Sequence, residues 1–300
     1  MCGSTETRKK QNMNMARKRL PVWVTNRRGD PDTIHSIKRM LRRMKLHTVC
    51  ESAMCPNLGE CFTMKTATFM ILGNQCTRSC AFCAVDHQEP GPLDPDEPLR
   101  IAAAARDLGL KHIVVTSVTR DDLPDGGSDQ FAETIRCLRS GIPGVTIEVL
   151  TPDFLGDAEA VRRVAEAGPD IYNHNIETVP RLYPVVRPSA DYRRSLDLIR
   201  EVRVYRPDLL TKSGIMVGLG ETVDEVAAVM RDLRDAGCDL LTVGQYLQPG
   251  KANLPVAEYI PEEQFAEYER IGCELGFRQV MSGPLVRSSY HAEFATDLIS

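Results

Sequence analysis

The stretch CTRSCAFC, residues 76–83, places three cysteines where they could hold a metal. Cys76, Cys80 and Cys83 follow the spacing C-x₃-C-x₂-C. A structural zinc site takes four protein ligands, and His87 is the only histidine close by in the sequence. A ferredoxin-type cluster takes four cysteines at other spacings. Three thiolates are therefore expected to hold a 4Fe–4S cube that keeps one iron open to another molecule.

A second triad lies upstream, in CESAMCPNLGEC, residues 50–61. Its Cys50, Cys55 and Cys61 follow the spacing C-x₄-C-x₅-C. A separate zinc knuckle is the alternative interpretation of these three thiols. Two triads, each one ligand short of a closed site, predict two metal centres.

The elements that must position these cysteines are short apolar runs that alternate with amphipathic segments. Six runs are predicted to be strands: 67–73, 112–118, 146–150, 171–177, 212–219 and 240–247. Nearly continuous apolar strands separated by helices indicate a parallel sheet covered by helices. A basic helix is predicted to lead into the second triad, and another helix is predicted at about 261–275.

Polar clusters follow nearly every predicted strand, beginning with NQCTRSC at 74–80. Functional residues at many successive strand ends are typical of a TIM-like barrel. A doubly wound sheet that binds a dinucleotide would carry G-x-G-x-x-G after its first strand, and none is present. The predicted fold class is α/β, a partial TIM-like (β/α)6 barrel with terminal extensions that hold the second triad. Ser128 is expected to cap the helix after the second strand, and Gly237 to end a later helix.

Composition restricts the class of protein further. The chain is 42% apolar and 26% charged and has no apolar run of 18 residues, so we expect no membrane span. Residues 1–48 hold 13 Lys or Arg and 3 Asp or Glu, in a chain of net charge −4. This basic extension is either a docking surface or a solvated arm. Its first twenty residues lack the apolar core of a signal peptide, and we expect a cytoplasmic protein.

The cysteine count supports metal binding. Ten cysteines in a chain without a secretion signal favour metal binding or catalysis over a disulfide framework. Three of the scattered cysteines are expected to be small buried apolar residues: Cys137, Cys238 and Cys273.

The first triad resembles the motif of the radical S-adenosylmethionine (SAM) superfamily, including an aromatic residue, Phe82, before the last cysteine. The resemblance implies that the open iron binds the amino and carboxylate groups of SAM. It further implies that an electron from this cluster cleaves the sulfonium and yields a 5′-deoxyadenosyl radical. Hydrogen atoms rather than protons are then removed, so no acid or base side chain is expected to act in catalysis.

A closer resemblance, to the lipoyl synthase family, extends over most of the chain beyond the basic extension. Long segments match in order, among them CPNLGEC, TSVTRDDLPDGGS, NHNIETV, GQYLQP and GPLVRSSYHA. This family inserts two sulfur atoms, at carbons six and eight, into an octanoyl chain on a lysine of a lipoyl carrier domain. The resemblance implies that the second triad holds an auxiliary 4Fe–4S cluster that is consumed as the sulfur source. It also implies that a serine of RSSY, Ser289 or otherwise Ser288, is the fourth ligand.

The same resemblance implies contacts to SAM. Glu148 and Asn173, at the ends of the third and fourth predicted strands, match positions that bind the amino and ribose groups. Arg187 is expected to bind the carboxylate, and GLGET at 218–222 to admit the adenine close to the backbone. One departure is Asn253, which stands where the family commonly has His.

The expected organisation has four segments. They are a basic arm over 1–30, a helix with the auxiliary triad over 31–66, the radical SAM partial barrel over 67–260, and a C-terminal helix with RSSY over 261–300.

The expected partners follow from the same resemblance. They are octanoylated carrier domains of 2-oxoacid dehydrogenase acyltransferase subunits and of the glycine cleavage system, a reductant such as flavodoxin or ferredoxin, and an iron–sulfur carrier protein. We expect no nucleic acid and no membrane among the partners. The alternatives are a methylthiotransferase-like radical enzyme, which normally adds an RNA-binding domain, and a non-catalytic iron–sulfur protein.

Overall fold

The computed structural model describes residues 29–63, 67–290, 292 and 298. The eight strands of this part are β1 His47–Thr48, β2 Thr68–Ile71, β3 His112–Ser117, β4 Thr146–Leu150, β5 Ile171–Asn173, β6 Leu210–Val217, β7 Leu240–Gln245 and β8 Gln279–Gly283. Its α-helices are α1 Pro31–Arg43, α2 Val49–Ser52, α3 Leu58–Thr63, α4 Glu97–Leu108, α5 Ser128–Gly141, α6 Ala158–Glu166, α7 Tyr183–Val186, α8 Tyr192–Tyr205, α9 Val223–Asp235 and α10 Glu262–Glu274. The basic arm predicted over residues 1–30 lies almost wholly outside the described residues.

The sheet runs in the order β1 to β8, so each strand neighbours the next one in the chain. Strands β2 to β8 are parallel, and the short β1 pairs antiparallel with β2. The sheet does not close, because β8 pairs only with β7. The predicted α/β partial barrel is confirmed, and strand β8 extends its sheet past residue 260.

Strands β2 to β7 are largely buried on both faces, as their apolar sequences predict. Every residue of β2 and β7 is buried, and helices on the outside pack their apolar stripes against the sheet. The interior divides into two large groups, one around β2 to β4 and the other around β6, β7, α9 and α10. This packing fixes the strands, and the loops at their carboxyl ends are held by that frame.

Three local expectations from the sequence were wrong. The basic helix ends at Arg43 rather than reaching the triad, because Lys45 adopts a left-handed φ of 52° and β1 begins two residues later. Ser128 is the first residue of α5, and the Asp125 carboxylate accepts the free amides of Gly127 and Asp129 instead. Cys273 is exposed on α10, whereas Cys137 and Cys238 are buried as expected.

The prediction for Gly237 is confirmed, since it follows α9 with a φ of 91° and donates its amide to Arg234. No helix among the described residues is long and apolar enough to cross a membrane.

Candidate two-cluster site at the mouth of the barrel

The carboxyl ends of the strands open into a cavity of about 580 Å³. All six cysteines of the two triads line it, together with residues that follow β3, β4, β5 and β7 and with the C-terminal segment Val286–Tyr290. The functional ends of parallel strands meet at this face of a barrel, and the loop after β2 brings the first triad there, while the second triad reaches it from the helical segment that precedes β2. The two predicted metal centres therefore face one shared space.

The first triad lies in an irregular loop directly after β2. Its backbone is held from several sides: the Cys76 amide donates to the Asp86 carbonyl, Thr77 to Thr119, and Ala81 to Val186. These bonds satisfy backbone groups that a buried loop would otherwise leave unpaired. The loop therefore presents its three thiols from a fixed frame.

Arg78, between the first two cysteines of this loop, anchors it through a buried ion-pair network. Its guanidinium donates to Asp121 at 2.6 Å and to Asp153 at 2.6 Å, and Arg194 also contacts Asp153 at 3.2 Å. Burial would raise the pKa of Asp153, but the hydrogen bond and charge of Arg78 outweigh it and lower the pKa to about 2. Arg78 thus joins the cluster loop to the loops after β3 and β4.

The second triad is distributed over two short helices and the turn between them. Cys50 lies on α2, Cys61 lies on α3, and Cys55 follows the turn at Met54, whose φ is 51°. The Thr48 hydroxyl accepts from the Glu51 amide and caps α2. The triad is therefore built from local structure, as its close spacing suggests.

The thiols of both triads suit a metal better than they suit free cysteines. Burial raises the pKa of Cys50 and of Cys83 to about 11 each, so a thiolate here requires a compensating positive charge. Iron supplies that charge, because thiolates are the ligands of iron–sulfur clusters. Among the described residues, no three His, Cys, Asp or Glu side chains converge closely enough to hold a single metal ion.

The C-terminal segment supplies a further charge beside the second triad. The half-buried Arg287 guanidinium donates to the carbonyl of Val286 at 2.6 Å and interacts electrostatically with Cys55. Burial lowers the pKa of Arg287 and the nearby Cys55 opposes that effect, but an arginine side chain stays protonated in proteins. That charge favours an anionic thiolate cluster next to it.

Two of the predicted SAM contacts lie in the cavity. Phe82 and Arg187 both line it. The Arg187 Nη1 atom donates to the carbonyls of Asn175 and Ile176, while its buried Nε atom has no partner among the described residues. An unpaired buried donor in a cavity wall fits a carboxylate ligand, because a buried donor without a hydrogen bond costs free energy.

The other two predicted contacts, Glu148 and Asn173, do not line this cavity. They lie inside the sheet, where Glu148 accepts from the Lys212 ammonium at 3.0 Å and from the Asn173 amide at 2.9 Å. His112 lies 3.6 Å from the same carboxylate. Burial would raise the pKa of Glu148, but the Lys212 charge and the surrounding hydrogen bonds outweigh it and lower the pKa, so Glu148 forms an internal ion pair with Lys212.

The loop after β5 supplies His174, which the sequence suggested as a pocket residue, and two residues that sequence reasoning did not assign, Asn175 and Glu177. His174, Asn175 and Glu177 all line the cavity. Glu177 has a left-handed φ of 66°, and its carboxylate accepts from the Asn175 amide at 3.1 Å. The polar segment NHNIETV at 173–179 was the sequence signal for these residues. Its alternation alone does not show which of its polar side chains face the cavity.

Gly218, the first glycine of GLGET, leaves space for another segment of the protein. A Cβ on Gly218 would lie 2.1 Å from the Gln245 Nε2 atom and 2.5 Å from the Glu258 carbonyl oxygen. Gly218 therefore permits close packing of the segment after β7, and it does not line the cavity.

Comparison with known proteins identifies the kind of chain that carries this site. The Radical SAM superfamily model matches residues 70–233. A lipoyl synthase from Caldanaerobacter subterraneus is 60% identical over 93% of this chain and 98% of its own length. Lipoyl synthases from Rubrobacter xylanophilus and Thermus thermophilus are 56% and 53% identical, over 92% and 91% of this chain and 86% and 85% of theirs.

Solved structures support the fold. The [FeFe]-hydrogenase maturase HydG superposes with a TM-score of 0.57 at 16% identity, over 92% of this chain and 61% of its own. Streptococcus suis SuiB bound to S-adenosylmethionine gives a TM-score of 0.53 at 12% identity, over 73% of this chain and 50% of its own. The partial barrel is therefore an architecture shared by distant relatives.

Proposed function

Because this chain belongs to the lipoyl synthase family, it is a radical SAM sulfurtransferase, and we propose that the cavity lined by both cysteine triads is its reaction chamber. The enzyme inserts two sulfur atoms, at carbons six and eight, into an octanoyl chain attached to a lysine of a lipoyl carrier domain. Its cofactors are two 4Fe–4S clusters and SAM. The observation that carries the proposal is that six cysteines from two separate segments face one cavity.

The proposed ligand sets are those that the family resemblance implies, and the shared cavity supports them. Cys76, Cys80 and Cys83 hold the cluster that binds SAM, and they leave one iron open. The auxiliary cluster is held by the second triad, Cys50, Cys55 and Cys61, with Ser289 as its fourth ligand. When bound, SAM and the first cluster supply a 5′-deoxyadenosyl radical, and the auxiliary cluster supplies sulfur.

The chain's own residues bind and orient SAM and shield the reaction in the cavity. Arg187 offers its unpaired Nε to the carboxylate of SAM, and Phe82 lies in the wall beside it. Burial and the nearby Arg187 lower the pKa of His174 to about 4, so its ring is neutral at physiological pH. A neutral His174, held by hydrogen bonds to Thr151 and Ser195, suits a reaction that removes hydrogen atoms, because it does not act as a general acid there.

A broader set of partners forms part of the proposal. The carriers are lipoyl domains of 2-oxoacid dehydrogenases and the glycine cleavage carrier protein. The reductant is a flavodoxin or ferredoxin, and an iron–sulfur carrier protein rebuilds the auxiliary cluster. A cytoplasmic location is supported by thiols that must stay reduced to bind iron. The basic helix α1, with Arg39, Arg42 and Arg43 exposed, is the surface proposed to dock the carrier.

The test begins with anaerobic reconstitution and a count of iron and sulfide per chain. The reconstituted enzyme is then given reductant, SAM and an octanoyl-lysyl peptide. We expect about eight irons per chain, two sulfur atoms added to the peptide, and loss of the auxiliary cluster after turnover.

Matched variants separate the two triads. Cys55→Ala should keep SAM cleavage and abolish sulfur insertion, whereas Cys80→Ala should abolish both. Cys273→Ala, on the exposed face of α10, is the control and should change neither. Zinc in place of iron, or sulfur insertion that survives Cys55→Ala, would contradict the proposal.

A further inference from the structure

The C-terminal segment is seated in a slot formed by two glycines on neighbouring strands. A Cβ on Gly244 of β7 would lie 2.1 Å from the Val286 carbonyl oxygen, closer than any real contact. A Cβ on Gly214 of β6 would lie 2.8 Å from Asn175 Oδ1 and 3.0 Å from Ser288 Oγ. The barrel therefore lacks side chains where this segment enters its mouth.

The segment is also fastened to the helices of the auxiliary triad. The Asn57 side-chain amide donates to the Leu285 carbonyl at 2.7 Å, and the Tyr290 hydroxyl lies 3.3 Å from Glu60. Asn57 and Glu60 both lie between Cys55 and Cys61 in the sequence. The segment consequently bridges the barrel and the auxiliary triad.

Within this bridge, Ser288 is fully engaged by one barrel residue. The Asn175 Nδ2 atom donates to Ser288 Oγ at 2.7 Å, and the Ser288 hydroxyl donates back to Asn175 Oδ1 at 2.9 Å. The adjacent Ser289 lines the same cavity without a side-chain hydrogen bond among the described residues. Of the two serines, Ser289 is thus the one whose oxygen is available to a metal.

Asn175 is itself held by two other residues that line the cavity. Its Nδ2 atom donates to Glu177 Oε1 at 3.1 Å, and its carbonyl accepts from Arg187 Nη1 at 3.1 Å. Arg187 is the residue assigned above to the carboxylate of SAM. Asn175 therefore lies between the SAM wall and the segment that carries Ser289.

We propose that Asn175 is a positioning residue for the auxiliary cluster: by holding Ser288, it sets where Ser289 meets the cluster and how readily the serine-bound iron leaves. This inference rests on the proposed function, in which Ser289 is the fourth ligand. A sulfur donor must release that iron during turnover, so a ligand held only through its neighbour is restrained but can detach. Asn175 determines that restraint from outside the coordination shell.

The test isolates the auxiliary cluster by working in a Cys76→Ala, Cys80→Ala, Cys83→Ala background. A chelator is added to the reconstituted protein, and the release of iron is followed with time. Mössbauer spectra report the site that is lost. Asn175→Ala and Ser288→Ala should each release one iron per cluster about tenfold faster than the parent, as loss of a hydrogen-bonded pair allows.

Further variants identify the cause. The double variant Asn175→Ala, Ser288→Ala should release iron no faster than either single variant, because both remove the same contact. Ser288→Thr keeps the hydroxyl and should restore slow release. Cys273→Ala, on the exposed face of α10, is the control and should leave the rate unchanged. If Asn175→Ala fails to fold by circular dichroism, Ser288→Ala and Ser288→Thr alone decide the question.

Ser289→Ala separates the inference from its premise. Fast release in Ser289→Ala but parental rates in Asn175→Ala and Ser288→Ala would overturn the role of Asn175 and leave the ligand in place. Parental rates in all three would overturn both the inference and the assignment of Ser289.

Discussion

Asn253 donates its side-chain amide to the carbonyl oxygen of Cys83 at 2.7 Å, from a segment 170 residues further along the chain. The same amide reaches the Ala81 carbonyl at 3.3 Å, and the Leu254 amide bonds Ala81 at 3.1 Å. The segment after β7 therefore clasps the loop of the first triad. These contacts give a structural reason for Asn253, which stands where the family commonly has His, because its side-chain amide donates to that loop.

Replacing this donor should loosen the first cluster. In Asn253→Ala, the carbonyls of Cys83 and Ala81 lose their side-chain partner, and a small misplacement of the loop can cost up to about 100-fold in rate. We expect slower SAM cleavage, measured as 5′-deoxyadenosine formed per chain. We also expect fewer irons retained on the first triad, measured by iron analysis. Asn253→His, which keeps a donor, should retain most activity. Equal rates in Asn253→Ala and the parent would show that the clasp does not position the loop.

The glycine slot predicts a loss confined to the auxiliary cluster. In Gly244→Ala, the added methyl group meets the Val286 carbonyl oxygen, so the C-terminal segment must shift. We expect reconstituted iron to fall from about eight toward four per chain, with SAM cleavage preserved. Gly91→Ala is the matched control, because nothing lies within 4 Å of its Cβ. Retention of both clusters in Gly244→Ala would contradict the slot.

Glu148 offers a direct test between a ligand contact and an internal ion pair. Glu148→Gln leaves the buried Lys212 ammonium without its counter-charge, a change that costs about 3–5 kcal/mol of unfolding free energy. We expect that loss in chemical denaturation and an unchanged Kd for SAM in the reconstituted enzyme. The pair of changes Glu148→Gln, Lys212→Met should recover part of the stability. A weaker Kd with unchanged stability would instead support direct contact with SAM.

The buried His174 predicts how stability depends on pH. Its folded pKa, about 4, lies below the unfolded value of 6.5, because burial and Arg187 disfavour the charged ring. Between these values the unfolded chain binds more protons, so the free energy of unfolding falls as pH decreases from about 6.5 toward 4. The slope from this group is at most about 1.4 kcal/mol per pH unit.

His174→Gln removes that titration and should flatten the slope in this window. The measurement is urea denaturation of the cluster-free chain under reducing conditions at several pH values. The variant and the parent should differ by a constant amount above pH 7 and converge below it. Parallel curves throughout would mean that His174 does not titrate differently on folding.

How much the sequence could predict differs between the sheet and the site. The strand predicted at 146–150 matches β4 residue for residue, and the strand predicted at 240–247 ends two residues after β7, because continuous apolar runs report burial directly. Strand β8 was not predicted, since QVMSG is only partly buried and lacks that signal. The cysteine triads were identifiable because their spacing is local.

Long-range contacts account for most of what was missed. Neither the reciprocal bond between Asn175 and Ser288 nor the approach of Val286 to Gly244 leaves a trace in local sequence. The ion pair of Glu148 belongs to the same class, because its position at a strand end does not reveal that its carboxylate meets Lys212 inside the sheet. Such pairings depend on tertiary packing, which periodicity cannot supply.

The bridge between the C-terminal segment and the auxiliary helices also has a mechanical consequence. Asn57 and Leu285 are 228 residues apart, so an auxiliary cluster bound by both segments would cross-link a loop that contains the whole barrel. Closing so long a loop restricts the unfolded chain, much as a disulfide does. Each turnover that consumes the cluster would then cut this cross-link. The spent enzyme should be easier to unfold or digest than the loaded one until its cluster is rebuilt.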